Sequence, residues 1–260
     1  MPELPEVEYA SRIVRRAVVG GTVRDVKVLH RAQRGGLPPR DVARMRGAVI
    51  TGVERRGKHQ LLALSTGDTF VVHFRMTGDW LVEESGSPPP RFARVVLELE
   101  DGTRVSLVDP RALSTATLHR AGMDTLPVLG PDAADPSVTV KVFGEALARR
   151  RVSIKIALLD QRVLAGVGNI YAAEALWLAR IDPQAVASSL TKARQRRLLE
   201  AIRAVLAKAQ ASTGRYRENG VGRFEVYDRE SLPCSRCGTA IDRIVQGGRS
   251  TYFCPWCQRR

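Results

Sequence analysis

The chain has 260 residues, enough for about two domains of ordinary size with a small appendage. Its 41 Lys and Arg against 27 Asp and Glu leave a net charge of +14, carried by 35 Arg and 6 Lys, and a hydrophobic share of 44% supports a packed core. These figures exclude a disordered basic tail and point to a polyanionic partner, nucleic acid before membrane because the charge is spread along the chain; an Arg-rich genome composition is the competing origin of the excess.

Residues 3–19 read as a helix, with Val7, Ala10, Val14, Ala17 and Val18 on one face and Gly20-Gly21 as its stop. Short β runs follow at 22–30, 48–55, 60–64, 69–75, 79–82, 94–100, 103–108 and 115–120, separated by turn signals such as Ser65–Asp68 and Glu100–Gly102. Many short strands in series predict an antiparallel sandwich or barrel. The Gly- and Pro-bearing stretch 130–136 is the best linker, and beyond it the periodicity turns helical over 138–149, 154–159, 170–179 and 192–211. The last of these is basic on one face (Lys192, Arg196, Arg203) and apolar on another (Leu198, Ile202, Val205). Domains are therefore expected at 1–129, 130–224 and 225–260. No run approaches the ~18 apolar residues of a membrane span. The start of the chain is acidic rather than a basic, apolar secretion signal, so a cytoplasmic protein without membrane attachment is expected.

All four cysteines lie in the last 27 residues, as Cys234-Ser-Arg-Cys237 and Cys254-Pro-Trp-Cys257 with 16 residues between the pairs. Two such knuckles suit one tetrahedral Zn²⁺ held by four thiolates, with no open position for catalysis. Two redox disulfides are the alternative. Segments 240–245 and 250–253 would pair as a hairpin between the knuckles, and so short a module draws its folding energy from the metal.

Met1-Pro2-Glu3-Leu4-Pro5-Glu6 is an ordinary helix start, with prolines and acids in the first turn. It also allows chemistry. If Met1 is removed before the small Pro2, the α-amino group becomes a secondary amine titrating near ~7.7–8.0 against ~10.4 for Lys. Such an amine can attack a sugar C1′ and form an imine, with Glu3 beside it for acid–base help.

These motifs occur in order with Arg56-Gly57-Lys58, His73-Phe74-Arg75-Met76-Thr77-Gly78, Asp109-Pro110-Arg111 and Gly166-Val167-Gly168-Asn169-Ile170-Tyr171. Together they resemble the formamidopyrimidine-DNA glycosylases, in the bifunctional family that also contains endonuclease VIII-type enzymes, over essentially the whole chain. The resemblance implies an α+β multidomain fold: an N-terminal helix on an antiparallel β-sandwich, a helix–two-turns–helix domain and a C-terminal zinc ribbon. It implies a base-excision enzyme that removes oxidised bases (formamidopyrimidine, 8-oxoguanine) from double-stranded DNA, works as a monomer, and nicks the strand by β,δ-elimination. Pro2 would be the Schiff-base nucleophile and Glu3 the proton donor for sugar-ring opening. Lys58 would assist β-elimination, and Arg249 would complete δ-elimination. His73, Arg150, Lys155 and Asn169 would hold phosphates, Asn169 together with free N–H groups at a helix start. Met76 and Arg111 would fill the space left by the extruded nucleotide, with Leu113 as wedge. Zinc on Cys234, Cys237, Cys254 and Cys257 would be the one cofactor.

Two departures bear on lesion choice. Ala112-Leu113-Ser114 stands where purine-lesion members have Arg-Phe-Gly, so an aliphatic side chain replaces the aromatic wedge. The loop 217–224 is also shorter than the one that caps 8-oxoguanine in typical members. An endonuclease VIII-like preference for oxidised pyrimidines is thus one alternative. From another class, a non-catalytic zinc-ribbon protein that senses damaged DNA is the second.

Overall fold

The computed structural model describes residues 1–84, 86, 88–123, 126–211 and 224–259; the loop expected at 217–224 lies outside them but for its last residue, Phe224. The chain divides into two compact units, Met1–Pro2 with Glu6–Pro127, and Glu3–Pro5 with Val128–Arg260.

The first unit holds most of helix α1 (Leu4–Val18), then β1 (Val23–Val28), α2 (Arg31–Arg34), α3 (Pro39–Met45) and β2 (Ile50–Arg56). Strands β3 (His59–Leu64), β4 (Thr69–His73), β5 (Asp79–Glu84), β6 (Ala93–Leu99), β7 (Thr103–Val108) and β8 (Thr115–His119) complete it. They form two four-stranded antiparallel sheets, ordered β1-β6-β7-β5 and β2-β3-β4-β8. Every expected strand is present, and the two separate sheets make a sandwich rather than a closed barrel. One core joins Val7, Ala10, Val14 and Val18 of α1 to Val53, Leu62, Phe70, Leu97, Val105 and Leu107 from both sheets. The helix stops where Gly20 takes a φ of +87°, a left-handed conformation that costs an L side chain energy. Helices α2 and α3 were not expected. They are only four and seven residues long, too short to show a period, and Pro39 at the first position of α3 was the one local signal.

The second unit holds α4 (Val140–Ala148), α5 (Ile154–Leu159), α6 (Asn169–Leu178), a 3₁₀ turn (Ala187–Ser189), α7 (Lys192–Ala211) and the hairpin β9 (Asp242–Gln246)–β10 (Arg249–Phe253). Helix α6 is buried from Ile170 through Trp177, the mark of a central helix rather than an amphipathic surface one. Helix α7 buries Leu198 and Ile202 against it, while Lys192 and Arg196 are exposed as expected. Arg203 departs from that basic face. Its guanidinium donates to the carbonyls of Pro136 (3.1 Å) and Val138 (2.5 Å), which pins the linker onto α7. Among the described residues no helix is long and apolar enough to cross a membrane.

Candidate active site and nucleic-acid interface

Glu3 is 1% exposed, and its carboxylate accepts hydrogen bonds from the backbone N–H groups of Ile170 (2.8 Å) and Tyr171 (3.3 Å), at the start of α6. The helix N-terminus is therefore already capped by an anion from the other end of the chain. This corrects one expectation, since those N–H groups are not free for a phosphate. The glycines of the loop are explained by the same contact. A Cβ on Gly168 would lie 2.2 Å from Glu3 Cδ, and one on Gly166, where φ is +104°, would lie 2.5 Å from Leu4 Cδ1. Leu4 N–H also donates to Gly166 O (3.1 Å), so residues 3 and 4 are seated directly on this loop.

Asn169 follows the cap as the first residue of α6. Its Oδ1 accepts from Lys155 Nζ (2.7 Å), and its Nδ2 donates to the Ser250 carbonyl (3.0 Å) on β10. Lys155 also donates to Thr251 Oγ1 (3.1 Å). Expected as a direct backbone contact, Lys155 is instead 0% exposed, its ammonium enclosed by the protein and bonded to Asn169 and Thr251. Burial, with the nearby Arg249 adding to it and Glu3 opposing, pushes its pKa down to about 8. Arg249 itself is exposed at the head of β10. It follows the tight turn Gly247-Gly248, whose φ values of +56° and +72° are those of a type I′ turn. Glu3, Lys155, Asn169 and Arg249 thus meet at one place, and Thr251, which no sequence signal singled out, completes it. Arg150 stands apart, paired with Asp160 at 2.9 Å.

The buried ammonium has a measurable consequence. A lysine whose pKa is lower folded than unfolded costs stability while both states are charged, and the cost fades as pH rises between the two values. Wild-type stability relative to Lys155→Met is therefore expected to increase by about 2 kcal/mol between about pH 7.5 and pH 9.5, as read by urea unfolding. A difference that stays flat over that interval would show that Lys155 is not buried as a cation.

In the first unit, Lys58 follows Gly57 (φ +59°) in the two-residue turn that joins β2 to β3. It is only 6% exposed, unlike an ordinary hairpin lysine. The turn is held by Arg55, which donates to Gly57 O (3.0 Å) and to Glu8 of α1 (2.9 Å). His73 stacks edge-on against His59, with ring centroids 4.7 Å apart. Burial above all, helped by His59, Arg75 and Lys58, pushes its pKa down to about 3. Its Nδ1 accepts from Arg75 N–H (3.0 Å), so the neutral ring carries its proton on Nε2 and can donate to a phosphate without bearing charge. Met76 (37% exposed), Arg111 and Leu113 (43%) project from two loops of the same unit.

The four cysteine sulphurs lie within 4.8 Å of one another, with Cys237 and Cys254 at 3.5 Å. Thiolates ~2.3 Å from one tetrahedral zinc sit ~3.8 Å apart, so the cluster matches a single ion rather than two disulfides. Trp177 Nε1–H donates to Cys234 Sγ (3.4 Å), and Cys257 N–H to Cys254 Sγ (3.4 Å), the outer bonds that orient thiolate ligands. The cluster holds a structural zinc. A second buried acid was also missed. Glu174 of α6 accepts from the N–H groups of Glu225 (2.9 Å), Val226 (3.0 Å) and Tyr227 (2.9 Å), tying the entry to the ribbon onto the central helix.

Comparison with known proteins agrees with this geometry. Three family models match in order: the formamidopyrimidine-DNA glycosylase N-terminal domain over residues 1–116, its H2TH domain over 129–217, and the zinc finger found in FPG and IleRS over 231–260. A formamidopyrimidine-DNA glycosylase of Chloroflexus aggregans is 41% identical over 99% of this chain and 98% of its own. The Lactococcus lactis enzyme, solved non-covalently bound to DNA with an AP site, superposes with a TM-score of 0.92 at 29% identity, over 99% of this chain and 100% of that one. A MutM structure in complex with DNA containing carbocyclic 8-oxo-G gives 0.89 at 30% identity, over 100% of both chains. All carry names from the formamidopyrimidine branch, which sets aside the endonuclease VIII-like and non-catalytic alternatives. The chain belongs to the formamidopyrimidine-DNA glycosylase family and is a base-excision DNA glycosylase with AP lyase activity.

Proposed function

We propose that the enzyme removes formamidopyrimidine and 8-oxoguanine from duplex DNA, as a monomer in the cytoplasm, with Pro2 as its nucleophile. Once Met1 is removed, the Pro2 nitrogen attacks C1′ of the damaged nucleotide and the N-glycosidic bond breaks, the base leaving with a proton. Glu3 protonates the ring oxygen, the sugar opens, and a cationic imine forms between Pro2 and C1′. Lys58 assists loss of the C2′ proton, which expels the 3′ phosphate. Arg249 assists the second elimination, which expels the 5′ phosphate, and water then hydrolyses the imine to free Pro2.

The observation that carries this reading is the fixed Glu3 carboxylate, immobilised on the start of α6 and joined to Pro2 by one peptide bond. A general acid must be held in place to work, and two backbone bonds hold this one. His73, Arg150 and Asn169 grip phosphates, with Lys155 steadying Asn169; such contacts position the duplex without reading sequence. Met76, Arg111 and Leu113 fill the void that opens when the nucleotide is turned out. Leu113 wedges by shape more than by stacking. In this division of labour residues 1–129 carry the nucleophile and void-filling loops, 130–224 the phosphate-gripping turn, and 225–260 the zinc-held Arg249.

Borohydride reduction tests the scheme. The processed enzyme should be trapped on duplexes bearing 8-oxoguanine or formamidopyrimidine, far less on thymine glycol, and peptide mass mapping should locate the adduct on Pro2. An adduct on another residue, or none with any lesion, would overturn it. A chain that retains Met1 should give no adduct.

A further inference from the structure

The side chains proposed to fill the void come from two separate loops. One is the turn Phe74–Gly78, closed by Gly78 N–H donating to Phe74 O (3.0 Å), which exposes Arg75 and Met76. A Cβ at Gly78 would lie 2.6 Å from that same carbonyl, so the turn closes only on glycine. The other is the loop 109–114, which exposes Arg111 and Leu113. Each loop carries a non-glycine residue in the left-handed region, Arg75 at +54° and Ala112 at +52°. Such residues persist where their surroundings over-determine them.

One buried group bonds to both loops. Asp109 is fully buried; its Oδ1 accepts the Thr77 hydroxyl of the first loop and the Arg111 N–H (3.1 Å) of the second, while Oδ2 accepts the Ser114 N–H (2.7 Å). The second loop is steadied independently of Thr77. Arg94 donates to Asp109 O (2.7 Å) and Pro110 O (3.2 Å), and Gln33 donates to Ser114 O (2.6 Å). The Thr77–Asp109 bond is therefore a side-chain tie from the Met76 turn into an otherwise anchored loop. Hydrogen bonds to an ionised, buried acceptor are about twice as strong as neutral ones, so the tie is stiff.

We infer that Asp109 is a positioning residue which, through the Thr77 hydroxyl, couples the Met76 turn to the Arg111–Leu113 loop so that the three side chains enter the DNA stack as one preformed unit. The inference rests on the void-filling reading above. Independent loops would each be ordered separately on the DNA, whereas coupled loops are ordered once, so that insertion of Met76 lowers the cost of inserting Leu113.

Thr77 is the residue to change, because Asp109→Asn would turn an amide donor toward a backbone N–H. Thr77→Val keeps the shape and removes the hydroxyl, and Thr77→Ser restores it. Single-turnover excision from an 8-oxoguanine duplex is expected to fall about tenfold in Thr77→Val and recover in Thr77→Ser. Borohydride trapping on a single-stranded abasic oligonucleotide, which has no duplex void to fill, is expected to be unchanged in both. The effects of Met76→Ala and Leu113→Ala on duplex excision should be non-additive by about tenfold when Thr77 is present, and additive when both are combined with Thr77→Val. Wild-type excision by Thr77→Val, no recovery in Thr77→Ser, or equal loss on single strands would overturn the coupling. So would additivity in both backgrounds, which leaves the void-filling role itself intact. If Met76→Ala and Leu113→Ala each excise at the wild-type rate, the void-filling reading falls and the coupling with it.

Discussion

Glu3→Gln is expected to lower excision from an 8-oxoguanine duplex by about 10²–10⁴-fold, the usual contribution of a general acid. The glutamine oxygen can still accept one of the two N–H groups at the start of α6, so thermal unfolding should shift by only a few degrees. The loss is thereby separated from unfolding. Gly168→Ala should approach the same defect by displacing the carboxylate while leaving residue 3 a glutamate. Its Cβ would sit 2.2 Å from Glu3 Cδ, and a displacement of ~1 Å is enough to cost about a hundredfold in rate. Single-turnover kinetics on both variants decide the point. Excision within a few-fold of wild type in Glu3→Gln would remove Glu3 from the chemistry and leave it as a helix cap.

Removing zinc is expected to be the second large effect, and it should reach beyond the ribbon. Among the described residues the cluster around the metal buries Ala173, Trp177, Val226, Cys234, Ile241 and Cys254, with Tyr227, Tyr252 and Cys257 packed against them, too little apolar surface to hold the hairpin unaided. Structural zinc supplies about 10 kcal/mol or more to modules of this kind. The hairpin also forms part of the site, since Thr251 and the Ser250 carbonyl hold Lys155 and Asn169. Chelation, or Cys254→Ser, should therefore release the metal, alter the fluorescence of Trp177 as its bond to Cys234 is lost, and lower duplex nicking by about a hundredfold or more. Atomic absorption alongside the nicking assay checks this. Full nicking by metal-free protein would mean that the ribbon folds, and holds Asn169, without zinc.

Legibility in the sequence followed the range of the interaction concerned. Helices α5 and α7 appear over the stretches where periodicity put them, because burial of Ile154 and Leu158 in α5, and of Leu198 and Ile202 in α7, is written into their spacing. The eight sandwich strands were visible for the same reason. Helices α2 and α3 were missed because a turn or two carries no period. The cysteine cluster was legible because metal geometry constrains residues three apart in sequence. Lys155 was not. Nothing near it in the chain distinguishes a phosphate-binding lysine from one sealed inside, and its partners lie 14 and 96 positions away. Asp109 likewise reads as part of a turn, and only its bond to Thr77, 32 positions earlier, makes it a tie between loops.

Residue identity at short spacing was thus sufficient to raise the chemistry: the proposed nucleophile beside an acid at the start of the chain, four thiolates for one metal, and charge for a polyanion. Environment was decided by the fold alone. Glu3 caps a helix whose bonded N–H group lies 167 residues later, and that contact makes the glycines of Gly166-Val167-Gly168 necessary and takes the N–H groups first assigned to phosphate. Burial and hydrogen-bond partnership are sums over neighbours brought together in space, and no local pattern contains them. The charge of +14 shows the same division, since Arg203, Arg150 and Lys155 belong to it yet each also bonds within the chain, to a linker, an aspartate and an asparagine, and only Lys155 is buried.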